Sequence, residues 1–264
     1  MNSIVCVKQV PASNEVKLDP KTNTIVRDGR HAVINPFDSH ALEAALVLKQ
    51  QLGGKVSVLS MGIPASEEML RDCVARGADD ALLLTDRAFA GADTLATSYA
   101  LAKGVEALGQ FDLILCGKMA VDGDTAQIGP ELAERLGIPH VTDVSSIEAD
   151  GSAVIVQREL GSYTQKLRVP LPAVLTVTRD LGAPRLPSIA GVLRAETQQV
   201  PLYSAERAGA DAAQCGLKGS PTQVVKTYLP QRSRKVTEIS GSREERRDAL
   251  LNIMKGAVSH GTDH

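Results

Sequence analysis

A doubly wound α/β fold with a mainly parallel sheet, added antiparallel strands and an extended C-terminal arm is what this sequence predicts. Three observations predict it. Short apolar, β-branched runs alternate with roughly 10–15-residue amphipathic stretches through the first half, the pattern of strand–helix–strand units. A glycine follows each of the first four predicted helices, where a helix commonly ends. Aromatic residues are only 3% of the chain and Trp is absent, so the core must come from Ala, Val, Leu and Ile, which suits a sheet covered on both faces.

Each element has its own signal. Residues 3–10 form a short β-branched run closed by Pro11, a buried strand. Extended pieces at 16–18 and 24–26 flank Asp19-Pro20-Lys21-Thr22-Asn23, whose turn chemistry predicts a hairpin. From Pro36, apolar residues at 41, 42, 44, 45, 46 and 48 predict a helix that Gly53 and Gly54 stop. A strand at 55–60 precedes a helix at 64–76, and one at 81–84 precedes a helix at 93–108. A strand at 111–116 precedes a helix at 124–136, and right-handed crossovers then make the sheet parallel. After His140 the pattern changes to consecutive strands at 154–158, 163–169 and 173–177, with turns at Asp150-Gly151 and Gly161-Ser162. From Arg179 the chain is irregular and proline-rich until a last helix, where Ser242 and Glu245 fit a capping box. Residues 180–240 have too little periodic apolar character for a core of their own. The predicted organisation is therefore a nucleotide-binding α/β domain at 1–180 and an arm with a C-terminal helix at 181–264.

Composition excludes several functions. Lys and Arg total 29 against 31 Asp and Glu, a net charge of −2, so bulk positive charge cannot carry nucleic-acid binding. No apolar run approaches the ~18 residues of a membrane span, and the N-terminus turns polar too soon for a signal peptide. The expected location is cytoplasmic. Cys6, Cys73, Cys116 and Cys215 stand far apart, which argues against zinc, an iron–sulfur cluster or a disulfide framework. Redox chemistry would then need an organic cofactor. No histidine has a patterned Ser or Cys partner, so no triad and no catalytic residue is assigned.

In a doubly wound sheet, ligands bind at the carboxyl ends of strands where the strand order reverses. The candidate loops follow Val10, contain Asn35-Pro36-Phe37-Asp38, contain Ser60-Met61-Gly62, and span 117–129. The last is the most informative. Gly117 and Gly123 allow close backbone approach, and a helix start beyond them offers free N–H groups to a phosphate, with Thr125 near it. The bland alternative is a plain strand–helix connection that Asp124 caps. Asp122 and Asp124 would repel a phosphate directly, so capping, orienting Lys118 or bonding a ribose are the roles open to them. Neither G-x-G-x-x-G nor a Walker loop is present. Cys6 and Cys116 end adjacent predicted strands, where such residues commonly serve as small core filler.

Taken together, Val7-Lys8-Gln9-Val10-Pro11, Asn35-Pro36-Phe37-Asp38, the 117–129 loop and Leu171-Pro172-Ala173-Val174-Leu175-Thr176-Val177 resemble the β subunit of electron-transferring flavoprotein. Pro184-Arg185-Leu186-Pro187-Ser188-Ile189 also looks like that family's loop after the last core strand. The resemblance implies a Rossmann-like, adenine-nucleotide-binding fold, a heterodimer with an FAD-bearing α subunit, and a C-terminal arm embracing that subunit. It implies that Cys6, Asn35, Pro36, Phe37, Asp38 and Met61 hold the nucleotide with Cys116, Gly117 and Lys118. Asp122, Gly123, Asp124, Thr125, Ala126, Gln127 and Ile128 would complete that set. Asp122-Gly123-Asp124-Thr125 and Asp93-Thr94-Leu95-Ala96-Thr97 are similar to the electron-bifurcating branch. There the β site holds FAD, which takes a hydride from NADH, and Thr94 and Thr97 sit near the ring or NADH. One electron goes to ferredoxin or flavodoxin, the other through the α-subunit FAD to an acyl-CoA dehydrogenase-type partner. The alternative is a structural AMP in the same site. On either reading the chain is a subunit of an oxidoreductase complex and not an enzyme alone. Ile189, displayed by a proline-anchored loop, is the expected partner-docking residue.

Overall fold

The computed structural model describes residues 1–12, 32–226, 236 and 238–259, so the hairpin expected at 16–18 and 24–26 lies outside the described residues. In chain order the first elements are β1 Ser3–Cys6, β2 Gln9–Pro11, β3 Ala32–Ile34, α1 Pro36–Leu52, β4 Val56–Met61 and α2 Ser66–Arg76. There follow β5 Asp80–Leu84, α3 Thr94–Leu108, β6 Leu113–Gly117 and α4 Ile128–Leu136. Then come β7 His140–Asp150, β8 Ala153–Leu160, β9 Tyr163–Pro170 and β10 Ala173–Val177. The last are α5 Ile189–Thr197, β11 Leu202–Tyr203 and α6 Arg243–Ser259. The chain divides into two compact units, Met1–Val225 and Lys226–His264.

Nine strands form one sheet in the order β11-β5-β4-β1-β6-β10-β7-β8-β9, and β2 pairs with β3 in a small separate ribbon. From β11 to β7 every neighbour is parallel; β8 and β9 add antiparallel to that edge. The chain winds outward from β1 through β4 to β5, then returns to lay β6 on the other side of β1. The reversal therefore lies between β1 and β6.

Period-two alternation splits the core across the two faces. Val5, Leu113 and Leu115 face α1 and α2, with Leu42, Leu46, Leu70 and Cys73. Ile4, Cys6, Ile114 and Cys116 face α3 and α4, with Tyr99, Leu101, Leu132 and Ala133. Two glycines set close approaches. A Cβ on Gly104 would lie 2.7 Å from Leu59 Cδ1, and one on Gly129 would collide with Thr176 Cγ2.

The structure corrects three expectations. The last helix of the parallel half starts at Ile128, not near 124, because Asp124 and Ala126 take left-handed backbone at φ 53° and 55°. Such residues cannot continue a right-handed helix. A strand not predicted, β7, joins the parallel region to the meander, its register broken by a bulge between Val144 and Ser146. Ile189 is not in a loop but opens α5, capped by the Ser188 side chain accepting from Gly191 N at 3.0 Å.

Much of 181–225 packs within the first unit. Arg71 of α2 donates to the carbonyls of Ala195 and Gln198 at 2.7 and 2.8 Å. Arg194 donates to those of Val74 and Ala78 at 2.7 and 2.8 Å. β11 extends the sheet beside β5, and Ala195, Val200, Ala205 and Cys215 are buried. Within the second unit, Ser242 N donates to Glu245 Oε2 at 2.8 Å and Glu245 N to Ser242 Oγ at 3.3 Å, completing the expected capping box.

Candidate functional site

The reversal of strand order gathers the sequence-predicted residues. Cys6 and Cys116 are register partners at the carboxyl ends of β1 and β6, both buried, and Met61 ends β4 beside them. The loop leaving β6 crosses this edge, and α1 begins against it. Asn35 Nδ2 donates to Met119 O at 2.9 Å, and Val121 N donates to Asn35 Oδ1 at 3.2 Å. Asp38 Oδ2 accepts from Lys8 N at 2.8 Å and Oδ1 from Gly117 N at 3.1 Å. Burial pushes the Asp38 carboxyl up to about 7, against hydrogen bonds from Asn35, Lys8 and Gly117 that pull it down. Pro36 opens α1, and the Phe37 ring lies under the Arg179 guanidinium, 4.6 Å from its centroid.

Beyond Met119 the loop faces solvent. Asp122, Gly123, Asp124, Thr125, Ala126 and Gln127 are all exposed, and Ile128 is half-buried. Gly123 has an ordinary φ, and a Cβ there would meet no atom within 4 Å. Gln127 occupies the N-cap of α4 without a side-chain hydrogen bond, so the first N–H groups of that helix have no capping partner. Asp124 is thus not the cap. Ala126 in left-handed backbone, a conformation that costs an alanine, is the kind of strain that clusters at ligand sites.

The cations of this edge are paired, by partners the sequence did not indicate. Lys8 Nζ lies 2.6 Å from Asp122 Oδ1, and Lys118 Nζ lies 2.5 Å from Asp143 Oδ1. Lys118 is therefore oriented by Asp143 on β7, not by the aspartates of its own loop. At the start of α3, Asp93 caps the helix, its side chain accepting from Ala96 N at 3.1 Å. Thr94 Oγ1 lies 3.2 Å from Gln127 Oε1 and 3.0 Å from Glu131 Oε1, bringing the N-termini of α3 and α4 together. Thr97 follows one turn later and is half-buried.

The comparisons fit this arrangement. Residues 22–207 match the electron transfer flavoprotein domain. The chain belongs to the electron transfer flavoprotein family. It is 46% identical to the electron transfer flavoprotein subunit beta of Thermoanaerobacterium thermosaccharolyticum, over 97% of each chain. It is 46% identical to the caffeyl-CoA reductase–Etf complex subunit CarD of Acetobacterium woodii, over 87% of this chain and 88% of that one. Protein FixA of Azorhizobium caulinodans is 43% identical, over 95% and 92%.

As an electron transfer flavoprotein chain, it carries the expected docking residue far from these loops. Ile189 is 84% exposed and opens α5, whose Gly191 abuts the carbonyl of Ala75 near the end of α2. A cavity of about 390 Å³ lies there, lined by Leu46, Lys49, Arg76, Gly77 and Gly191 among others. The 17 residues of α1 run between the two places, a rise of about 25 Å. Among the described residues, no helix is long and apolar enough to cross a membrane.

Proposed function

We propose that this chain is the β subunit of an electron-bifurcating flavoprotein, with FAD in the site at the β1/β6 edge. FAD, when bound, supplies the redox chemistry: it takes a hydride from NADH and passes the electrons on singly, to ferredoxin or flavodoxin and to the α-subunit FAD. An acyl-CoA dehydrogenase-type partner then receives electrons from the α subunit. The chain's own residues bind and orient. The uncapped start of α4, with its free N–H groups and positive dipole end, suits a phosphate group. Cys6, Met61 and Cys116 form the floor; residues 35–38 and 117–128 form the walls; Thr94 and Thr97 lie at the far rim, towards the flavin ring or NADH. The C-terminal stretch is the part assigned to embrace the α subunit.

The observation that carries this reading is the open position at Gly123. A group larger than an adenylate needs room beyond the α4 N-terminus, and no side chain or neighbouring atom fills that space. The likeness to a subunit of a caffeyl-CoA reductase–Etf complex supports the same branch. The test is a flavin count on the purified αβ heterodimer. Two flavins per heterodimer are expected. One flavin with one AMP would replace this reading with that of a carrier whose β nucleotide is structural.

A further inference from the structure

We propose that Asn35 and Asp38 are positioning residues, holding the 117–121 loop in its ligand-binding shape without touching the ligand themselves. The proposal rests on the reading of this edge as an adenine-nucleotide site.

Three observations carry it. First, Asn35 is 0% and Asp38 6% exposed, so neither side chain faces the open edge. Second, their polar atoms are spent on backbone. Asn35 takes one donor and one acceptor of the loop, at Met119 O and Val121 N. Asp38 takes the N–H of Gly117 and that of Lys8, tying the ends of β6 and β1 across the reversal. The loop has no ladder of its own there, and its buried backbone groups need partners from outside. Third, the fit is close and has a cost. Asparagine is a favoured N-cap, yet Asn35 makes no capping hydrogen bond to α1 because its amide is turned to the loop. Gly117 is the matching concession, since a Cβ on it would run into Asp38 Oδ1 and Phe37 Cβ.

The brace needs an ionised Asp38, because only a carboxylate offers acceptors to both N–H groups without a proton to place. The titratable groups around it are Lys8 on the loop after β1, Cys116 on β6 and Cys73 on α2. Burial pushes Cys73 up to about 12. The hydrogen bond from Cys6, together with burial, holds Cys116 well above the ordinary thiol range. Lys8 is paired with Asp122. Near pH 7 the change in charge thus belongs to Asp38, whose carboxyl stands at about 7.

The experiment titrates AMP into nucleotide-stripped αβ heterodimer by calorimetry between pH 6 and 8.5, for wild type, Asp38→Asn and Asn35→Asp. Asp38→Asn sets an amide N–H against a backbone N–H and is expected to weaken AMP binding at least tenfold at pH 8. That deficit shrinks towards pH 6, where the wild-type carboxyl takes up its own proton. Asn35→Asp opposes a carboxylate to Met119 O and is expected to weaken binding about fivefold or more at pH 8. It carries the affinity test by itself if Asp38→Asn does not assemble. Equal or tighter AMP binding in both variants overturns the proposal, because removing a negative charge from a direct phosphate neighbour would tighten it. A deficit in Asp38→Asn that is constant with pH also overturns the brace. A wild-type heterodimer that binds neither AMP nor FAD overturns the nucleotide site itself, and the brace with it.

Discussion

The Lys8 ammonium sits 2.6 and 2.8 Å from the two carboxylate oxygens of Asp122, joining the loop after β1 to the loop after β6. The two loops lie on either side of the strand reversal, so this ion pair spans the entrance to the candidate site. Its side chains are 44% and 22% exposed, and the pair adds well under 1 kcal/mol to stability once solvent screening is counted. Its effect is on the local field. Lys8→Met is expected to leave Asp122 uncompensated and weaken AMP binding about two- to fivefold at low salt. Asp122→Asn frees Lys8 and is expected to tighten it by a similar factor. Affinity shifts of the same sign in the two variants would refute this account.

A second prediction concerns packing beneath α4. Gly129 approaches β10 so closely that a Cβ would collide with Thr176 Cγ2. Thr176 is 3% exposed and cannot swing into solvent. Gly129→Ala is expected to cost about 1–3 kcal/mol through overpacking, a fall of roughly 3–10 °C in Tm for a unit this size. Thr176→Ser removes the clashing methyl, so the double variant should recover most of the loss. A double variant no more stable than Gly129→Ala would place the strain elsewhere.

The third prediction is a pH dependence. Arg185 grips Glu43 through Nη2 at 2.8 Å and Nε at 2.9 Å, and its backbone N–H donates as well at 2.9 Å. Burial raises the Glu43 carboxyl, but the Arg185 side-chain and backbone hydrogen bonds and its charge outweigh this. The net shift is below the ordinary value of 4.5. A depressed carboxyl contributes stability that is present above 4.5 and lost as the pH falls through the lower folded-state value. Glu43→Gln should therefore destabilise by about 1 kcal/mol at pH 7 and by much less at pH 3.5. Urea midpoints at the two pH values check this, and a deficit undiminished in acid would contradict it.

The fold was largely legible because its core obeys simple periods. Val5, Leu113 and Leu115 alternate with Ile4, Ile114 and Cys116, and each helix behind them presents one apolar face. Where those periods break, reading stopped. β7 carries a bulge after Val144 that shifts its alternation, and its surface-facing Thr142, Ser145 and Ser146 dilute the rest. α5 buries only Ala195 and shows Ile189, Val192 and Leu193 to the outside, so its apolar residues mark no core face. At the site, the loops were legible by their position at strand ends and by family resemblance. The pairings Lys8–Asp122 and Lys118–Asp143 were not. Each joins residues far apart in sequence whose contact depends on the strand order.

A fourth prediction follows from the proposed function. Ile189 is not packed into its own subunit: it is 84% exposed, with Leu186 equally so and Leu193 at 59%. A cluster of exposed apolar side chains can dominate a transient interface. Ile189→Ala is expected to slow electron delivery to the dehydrogenase about tenfold under limiting carrier. Flavin content and NADH oxidation should be unchanged, since about 25 Å of α1 separates Ile189 from the nucleotide edge. Undiminished delivery in a stopped-flow assay with that dehydrogenase would remove Ile189 from the interface.

The last prediction turns on Gly123. Glycine can be required at a position for three reasons: left-handed backbone, close packing, or space for a ligand. The first two do not apply, because Gly123 has an ordinary φ and a Cβ would meet nothing within 4 Å. Both Gly123→Ala and Gly123→Asp should therefore fold with the loop intact. FAD adds a second phosphate, a ribityl chain and the ring to what AMP presents, and that phosphate has to pass the exposed 122–124 stretch. Two negative charges about 5 Å apart repel by roughly 1 kcal/mol in water and by several at an effective dielectric near 20. Gly123→Asp is thus expected to weaken FAD binding by about 1–3 kcal/mol, roughly tenfold to a hundredfold. Its effect on AMP should be several-fold smaller, and NADH-dependent bifurcation should be lost along with the β-site flavin. Gly123→Ala adds one methyl and no charge, and should retain FAD within a fewfold of wild type. Equal loss of FAD and AMP in both variants would show that Gly123 serves the loop and not the ligand.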